Sequence, residues 1–232
     1  MTDDSERDLR PVSPRLGADA DALLSELAHD LNSPLTFLVG YSEMLATGQL
    51  RGPAADEASV EIYREACRMT DLVAALLEAA RARLGGGLPD PTPVDLSELL
   101  SGVEQRWRRA RPDVALTIAC PRGCALEADR DRLTVALHAL IGLAAGVAQD
   151  RPGRPVALRV EPDPTGPAPG LTIRVTGPGG PANPAAALAR DAVAAIAAGH
   201  GGAFRAGARA FELSLPRAAA GQSALAGARG AP

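Results

Sequence analysis

A histidine followed directly by an aspartate, His29 and Asp30, is the most chemically informative pair in the sequence. Because the unperturbed pKa of histidine is about 6.5, the neutral imidazole predominates at neutral pH and can attack phosphorus through a free ring nitrogen. The adjacent carboxylate can hydrogen-bond the other ring nitrogen, or accept its proton, and so fix the tautomer. The pair therefore indicates a phosphoryl-accepting histidine, with Asp30 as the orienting group or general base. The alternative is that His29 is an ordinary solvated surface residue.

The helix that must position His29 has its apolar stripe elsewhere. Apolar residues recur at spacings of three and four, at Leu24, Leu27, Leu31, Leu38, Tyr41 and Leu45. Pro34 occupies the position of the repeat between Leu31 and Leu38. Such a stripe is typical of a helix packed in a bundle. His29 falls between two of these leucines and off the stripe, which predicts that it lies toward solvent. A proline inside a helix costs roughly 3 kcal/mol, so Pro34 needs a reason to be there.

The segment from His29 onward resembles the H-box of bacterial sensor histidine kinases. In that family a histidine, an acidic residue, a leucine or isoleucine, two polar residues, a proline and a leucine follow in order, here His29, Asp30, Leu31, Asn32, Ser33, Pro34 and Leu35. Residues 40–45 resemble the family's continuation. The resemblance implies that His29 is the phosphoacceptor. In these kinases a threonine or asparagine four residues after the histidine positions a water for phosphatase activity. Ser33 holds that place here and Asn32 precedes it, which leaves such activity open.

Composition and charge limit the classes of protein that the chain can belong to. The 232 residues suffice for one ordinary domain or two small ones, and 46% hydrophobic with 22% charged residues is typical of a soluble globular protein. The net charge of −4 and the lack of a basic stripe predict no nucleic-acid partner. Residues 1–8 lack the apolar core of a signal peptide, and the most apolar run, 133–148, is too short to span a bilayer. We therefore expect a cytoplasmic protein with no membrane partner.

The cysteines and the remaining histidines give weaker signals. The three cysteines are an odd number that a cytoplasmic chain keeps reduced. Cys120 and Cys124 flank a short loop, but no second ligand pair lies near them, so we predict no metal site. His138 lies in an apolar helix and His200 in a turn, and we predict structural roles for both.

The sequence pattern of the first half of the chain predicts a helical hairpin. Residues 1–18 form a predicted flexible arm, and residues 19–84 form two helices, from Asp19 to Thr47 and from Ala54 to Leu84, joined by a glycine-containing turn. The second helix has its own stripe at Tyr63, Ala66, Thr70, Val73, Leu77, Ala80 and Leu84. A lone hairpin of this length leaves a wide apolar seam exposed, and a second copy can cover it. We therefore predict a homodimer with a four-helix bundle for dimerisation and phosphotransfer.

The second half is predicted to be an α+β sandwich over residues 92–216, after a hinge at 85–91. The patterns predict helices over 96–109, 131–148 and 185–198, strands over 114–119, 156–160 and 171–175, and a closing hairpin over 203–215. Helices on one face of an antiparallel sheet form such a sandwich. Residues 217–232 are rich in alanine, glycine and serine, and we predict a disordered tail.

In order and spacing this second unit resembles the ATP-binding domain of histidine kinases, but its nucleotide site is degenerate. Residues 128–133 match the start of the family's nucleotide helix, and 199–202 match the turn after its last helix. The family's asparagines, of which the last holds magnesium, are replaced by Ala139 and Leu143, and the adenine-reading aspartate is replaced by Val175. The second glycine pair falls at Ala187 and Ala189, and too few residues remain for a nucleotide lid. We therefore predict no cofactor-binding and no metal-binding residues.

An H-box bundle without a working ATP site resembles the bacterial histidine phosphotransferases of the ChpT type. That resemblance implies an ATP-independent phosphotransferase that relays phosphoryl groups between response-regulator receiver domains, through a phosphohistidine, in a two-component phosphorelay. The chain is expected to need no cofactor of its own, since Mg²⁺ comes with the receiver partner. Two alternatives stay open. The chain is an ATP-dependent sensor-type histidine kinase with a divergent nucleotide site, or it is a non-catalytic dimeric scaffold that binds receivers.

Overall fold

The computed structural model describes the chain in six stretches, namely residues 10–11, 20–84, 91–146, 155–163, 170–180 and 183–217. Most of the predicted arm, nearly all of the predicted hinge and nearly all of the predicted tail lie outside the described residues. We call residues 20–84 the hairpin and residues 91–217 the second unit.

Two long helices form the hairpin, α1 (Ala20–Ala46) and α2 (Pro53–Arg83). These bounds confirm the prediction from apolar spacing to within one or two residues. The turn between the helices uses Gly48 and Gly52 at φ values of 70° and 58°, a conformation that glycine adopts without a steric penalty. Pro53 then opens α2 at the position where a missing N–H is tolerated.

The described residues of the second unit form three helices and seven strands, and one further strand, β1 (Arg10–Pro11), precedes the hairpin. The helices are α3 (Leu96–Ala110), α4 (Arg130–Ala145) and α5 (Pro184–Gly199). The strands are β2 (Thr92–Asp95), β3 (Leu116–Ala119), β4 (Ala125–Ala128), β5 (Val156–Asp163), β6 (Gly170–Thr176), β7 (Ala203–Ala206) and β8 (Ala210–Pro216). This is a mixed α+β fold in which a helical hairpin is followed by an α/β unit, as predicted.

The strands form a six-stranded sheet in the order β1-β7-β8-β6-β5-β3 and a separate two-stranded sheet of β2 and β4. The prediction of an antiparallel sheet is wrong for one pair, because β3 and β5 run parallel with Leu116 opposite Val156. The chain between them passes through β4 and α4, and such a crossover returns it in the same direction. The β2–β4 pair and the pairing of β1 with β7 were not predicted either.

The main core of the second unit lies between its helices and the large sheet. Its fully buried large side chains come from all three helices and from the central strands, among them Leu137, Ile141, Leu158, Ile173 and Phe211. Each helix begins at a side-chain cap, which satisfies backbone N–H groups of its first turn. The caps are Asp95 for α3, Asp129 for α4 and Asn183 for α5.

Helix α2 joins the hairpin to the second unit. It packs against α1 and against α5, and it also contacts α3 and α4. A small apolar cluster of Ala75, Leu188 and Ala192 lies at the α2–α5 contact, separate from the main core. The hairpin and the second unit are therefore in direct contact within one chain.

Candidate functional site

The H-box residues lie within one continuous helix. Helix α1 runs from Ala20 to Ala46 with Pro34 inside it. The backbone of His29 and Asp30 is helical, and the side chains of both lie outside the described part of the chain. Farther along the helix, Asn32 and Ser33 are exposed.

A polar face of α1 continues from the position of His29. The helical repeat places residues three, four and seven positions apart on one face, so position 29 shares its face with Asn32, Ser33 and Thr36. All three of these are exposed, and the Thr36 hydroxyl donates a hydrogen bond to the carbonyl of Asn32 over 2.9 Å. Thr36 was not among the predicted site residues, although its seven-residue spacing from His29 was a signal that pointed to it. This face is open to a partner protein.

Pro34 lies on the opposite side of α1 and is buried. Leu31 and Leu38, which belong to the predicted apolar stripe, are half-buried on the same side. Because proline has no N–H, it cannot donate the helical hydrogen bond to the carbonyl of Asp30. The half-buried stripe therefore packs one side of α1 against the rest of the chain. The helix also lacks one backbone hydrogen bond, at the carbonyl of Asp30, next to the predicted phosphoacceptor.

The predicted apolar stripe of α2 is exposed in the single chain. Tyr63, Val73, Leu77 and Leu84 are 39%, 41%, 50% and 85% exposed. Helix α1 adds Leu35 and Val39, which are 44% and 65% exposed. We call these residues the apolar seam: Leu35, Val39, Tyr63, Val73, Leu77 and Leu84. Several large exposed apolar side chains on one hairpin indicate an interaction site.

The other two histidines have structural surroundings. The Nε2 of His200 accepts a hydrogen bond from the backbone N–H of Asp129 over 3.1 Å, and its Nδ1 lies 2.7 Å from the carbonyl of Ile196. These partners fit one neutral tautomer, which links the end of α5 to the start of α4. His138 is only 8% exposed, and burial, together with the positive charge of Arg106, lowers its pKa to about 4. Neither ring is placed as a surface nucleophile.

The positions that correspond to a kinase nucleotide site are apolar. Leu143 is buried, Ala139 is packed against the core, and Val175 is fully buried in β6. None of these side chains can accept a hydrogen bond or bind a metal ion. Within the described residues, no group of three or more His, Cys, Asp or Glu side chains could hold a metal ion.

The glycine-rich loop that follows β6 is bonded to its own chain. The N–H of Gly179 donates to the carbonyl of Ala144, at the end of α4, over 2.9 Å. The N–H of Gly177 donates to the carbonyl of Arg209 over 3.0 Å. Both amides are therefore already satisfied and do not point at a phosphate group. The described residues at these positions do not fit a magnesium–nucleotide complex.

Comparisons with known proteins identify the hairpin. Residues 20–85 match the His Kinase A (phospho-acceptor) domain family. The match spans the whole hairpin and includes His29, Asp30, Asn32 and Ser33. None of the curated proteins matches the chain.

The chain is also similar to solved structures. The histidine kinase AdeS of Acinetobacter baumannii is 18% identical with a TM-score of 0.53, and the alignment covers 82% of this chain and 98% of that one. A structure described as a bacterial phosphotransferase is 20% identical with a TM-score of 0.46, covering 88% and 99% of the two chains. The ATP-binding domain of PrrB from Mycobacterium tuberculosis is 22% identical with a TM-score of 0.44, covering 56% and 98%.

The family match assigns the hairpin to the phospho-acceptor domain, and the second unit has a histidine-kinase-type α/β fold. The phospho-acceptor domain supports phosphotransfer through a histidine in two-component signalling. Among the helices of the described stretches, none is both long and apolar enough to cross a membrane.

Proposed function

We propose that this chain is a histidine phosphotransferase that relays phosphoryl groups between the receiver domains of response regulators. The observation that carries the proposal is the match of residues 20–85 to the phospho-acceptor domain, combined with a second unit whose nucleotide positions are apolar. The hairpin would accept and pass on the phosphoryl group, and ATP would not take part.

His29 is the proposed phosphoacceptor. Its unprotonated ring nitrogen forms a bond to the phosphorus of a receiver phosphoaspartate while the P–O bond to that aspartate breaks, which leaves the aspartate as a carboxylate. A carboxylate oxygen of the second receiver then attacks the phosphorus, the P–N bond breaks, and the neutral imidazole is restored. Positioning and charge neutralisation dominate such a transfer. Magnesium is expected to come with the receiver.

Asp30 is proposed to orient the ring and to hold the proton of the other ring nitrogen during the transfer. Asn32 and Ser33 complete the proposed site. Both are exposed, as is Thr36, on the face that shares the position of His29. A receiver that docks on α1 would meet these polar groups around the phosphorus.

The apolar seam supports a homodimer as the working form. Its exposed side chains lie on both helices of the hairpin, and a second hairpin would cover them in a four-helix bundle. Domains of the matched family are typically dimeric and interact with response regulators. We expect the same of this chain, and we expect it to be cytoplasmic.

Labelling from two phosphoryl donors tests the proposal. The purified chain is incubated with radiolabelled ATP and magnesium, and separately with a panel of receiver domains that carry a radiolabelled phosphoryl group. We expect label from a receiver and none from ATP, and we expect the His29→Ala variant to remain unlabelled as a dimer. His138→Gln is the matched control, because it removes a histidine away from the hairpin, and it should be labelled like the parent.

The other outcomes favour the two alternatives. Label from ATP on His29 would show a histidine kinase with a divergent nucleotide site. Label from neither donor, with receivers still bound, would show a non-catalytic scaffold. Label on His138 or His200 would overturn the assignment of His29.

A further inference from the structure

The contact between the hairpin and the second unit has an apolar centre. Ala75 of α2 is 3% exposed, and Leu188 and Ala192 of α5 are 5% and 0% exposed. Half-buried Leu72, Leu76 and Ala79 of α2 surround them. Small side chains at a helix contact allow the two backbones to lie close together. The apolar centre attracts the two units but does not by itself set their orientation, because apolar attraction is non-directional.

Three arginine–carboxylate pairs cross the same contact. The α2 members recur every seven residues on one face: Arg64, Asp71 and Glu78. Their partners belong to different parts of the second unit, at distances of 3.7 Å to Asp113 after α3, 2.6 Å to Arg106 of α3, and 3.4 Å to Arg132 of α4. At 1.5 Å of rise per residue, this row extends for about 21 Å along α2.

Two further hydrogen bonds reinforce the row. The Nε of Arg64 donates to the carbonyl of Ala110 over 3.2 Å. Arg106 donates to the carbonyl of Cys67 over 3.3 Å as well as to Asp71. Each of these arginines therefore binds a backbone carbonyl and a carboxylate across the contact.

Burial makes one pair of this row, Glu78 with Arg132, sensitive to orientation. Glu78 is 4% exposed, and the side chain of Arg132 is 11% exposed. Buried ion pairs add little net stability compared with apolar packing, but a buried charge that loses its partner is strongly unfavourable. Glu78 also pairs with Arg81 of α2, and Arg132 also pairs with Asp129 of the second unit. Any other docking of the second unit on α2 would therefore remove the ion pairs across the contact and leave only those within each unit. Three pairs across the contact, spaced along one helix and joined by two hydrogen bonds to backbone carbonyls, favour a single orientation.

We propose that this contact is a clamp that holds the second unit in one orientation on α2, so that the hairpin and the second unit move as one rigid body. The second unit then braces the hairpin, and a partner protein that approaches α1 meets both units in a fixed arrangement. Helix α5, which carries part of the clamp, also contacts α1. The clamp does not depend on phosphorylation of His29.

The alkylation rate of the Cys67 thiol measures how often the contact between α2 and the second unit opens. Cys67 is partly buried on α2, between Arg64 and Asp71, and its carbonyl accepts the hydrogen bond from Arg106. The other two cysteines lie in the turn between β3 and β4, where Cys120 is partly buried and Cys124 is buried. Alkylation of the full chain by iodoacetamide, followed by peptide mass spectrometry, gives the rate for each thiol separately.

The first variant removes the apolar centre. Leu188→Glu places a charge in the α2–α5 contact, and Ala187→Glu, at the neighbouring exposed position, is the matched control. We expect Leu188→Glu to accelerate alkylation of Cys67 by about tenfold or more, because local opening exposes the thiol. Ala187→Glu should leave that rate unchanged, and Cys120 should react equally in all variants.

The second variant removes one ion pair that lies away from Cys67. Arg132→Gln deletes the partner that Glu78 has in the second unit and leaves Arg81 of α2 paired with Glu78. Arg130→Gln is the matched control because Arg130 pairs with Glu98 inside the second unit. If the contact is one clamp, loss of the Arg132 pair loosens it as far away as Cys67. We expect an increase of about threefold or more in the Cys67 rate for Arg132→Gln and no change for Arg130→Gln.

Parent-like Cys67 rates in both Leu188→Glu and Arg132→Gln would overturn the clamp. It would also be overturned if Cys67 of the parent reacted as fast as in the urea-unfolded chain. Rapid alkylation of Cys124 would indicate unfolding of the second unit, in which case Leu188→Ser replaces Leu188→Glu and is judged by the same criterion. Because no phosphoryl donor is present, the result is independent of the labelling experiment.

Discussion

At the residue scale, the three histidines differ in what fixes their chemistry. The hydrogen bonds to Asp129 and Ile196 engage both ring nitrogens of His200, and burial beside Arg106 keeps His138 neutral. His29 has an acidic neighbour in sequence and a helical face that continues with exposed polar residues. The proposed chemistry of His29 therefore depends most on Asp30.

Replacement of Asp30 tests that dependence. We expect Asp30→Asn to slow phosphoryl transfer from a receiver by about tenfold to a hundredfold without abolishing it, because the side chain orients or deprotonates the ring and does not accept phosphate. Rates of labelling under single-turnover conditions provide the measurement. Ser42→Ala, an exposed change farther along α1, is the control. A parent-like rate for Asp30→Asn would remove Asp30 from the site.

His138 is expected to make stability depend on pH. Its pKa is lowered to about 4 in the folded chain, whereas an unfolded histidine has a pKa of about 6.5. As the pH falls below 6.5, the unfolded chain takes up the proton first, so the free energy of unfolding decreases between about pH 6.5 and pH 4. The full difference corresponds to about 3 kcal/mol.

Urea unfolding of the parent and of His138→Gln across this range measures the effect. The parent should lose stability relative to the variant as the pH falls from 7 to 4, and should change little relative to it above pH 7. Carboxylates titrate in both proteins and cancel in the comparison. If the unfolding free energies of the parent and of His138→Gln changed by the same amount from pH 7 to pH 4, the lowered pKa of His138 would be contradicted.

At the element scale, α2 serves two surfaces at once. Its apolar seam residues lie on one side, and the row formed by Arg64, Asp71 and Glu78 lies on the side that contacts the second unit. Helix α1 covers a third side. Covering of the seam by a second copy is therefore compatible with the contact between α2 and the second unit.

A charge on the seam should separate dimerisation from folding. Leu77 is 50% exposed in the single chain, so Leu77→Glu should leave the fold intact while weakening the dimer by about a hundredfold or more, because a dimer would bury the charge without a partner. Leu38→Glu should instead unfold the hairpin, since Leu38 is half-buried. Analytical ultracentrifugation and circular dichroism distinguish the two results.

Arg68→Glu is the control for this pair of variants. Arg68 lies nine residues before Leu77, on the opposite side of α2 by the helical repeat, and its side chain is 62% exposed. It should sediment like the parent. A parent that sediments as a monomer at micromolar concentrations would show that the seam does not hold a second copy.

At the scale of the whole molecule, the second unit has the kinase-like fold, and the positions predicted to replace the family's nucleotide-binding residues are apolar. Ala139, Leu143 and Val175 offer no polar group, and the loop after β6 bonds to α4 and to the turn before β8. Magnesium requires oxygen ligands. We expect calorimetry with ATP and magnesium to show no saturable heat up to millimolar concentrations. A micromolar dissociation constant would contradict this expectation and favour the kinase alternative.

Local patterns in the sequence were enough to predict the hairpin, and they supplied the residues of the candidate site. Apolar spacing and the glycines of the turn placed α1 and α2 almost to the residue, because helix periodicity and turn geometry depend on neighbours in the chain. The order of residue types from His29 to Leu35 was the basis for predicting an H-box. The stripe from Tyr63 to Leu84 was also visible, and it indicated an interaction surface on α2.

Contacts between residues far apart in the chain were decided only by the tertiary structure. The parallel pairing of β3 with β5 depends on the path of the chain through β4 and α4, and the short strands β2 and β4 have too few residues to show a pattern of their own. The exposure of the seam and the pairing of Arg132 with Glu78 depend on how α2 docks on the second unit. The apolar stripe of a helix indicates which side chains are buried from water. The packing of the folded chain determines which surface covers them.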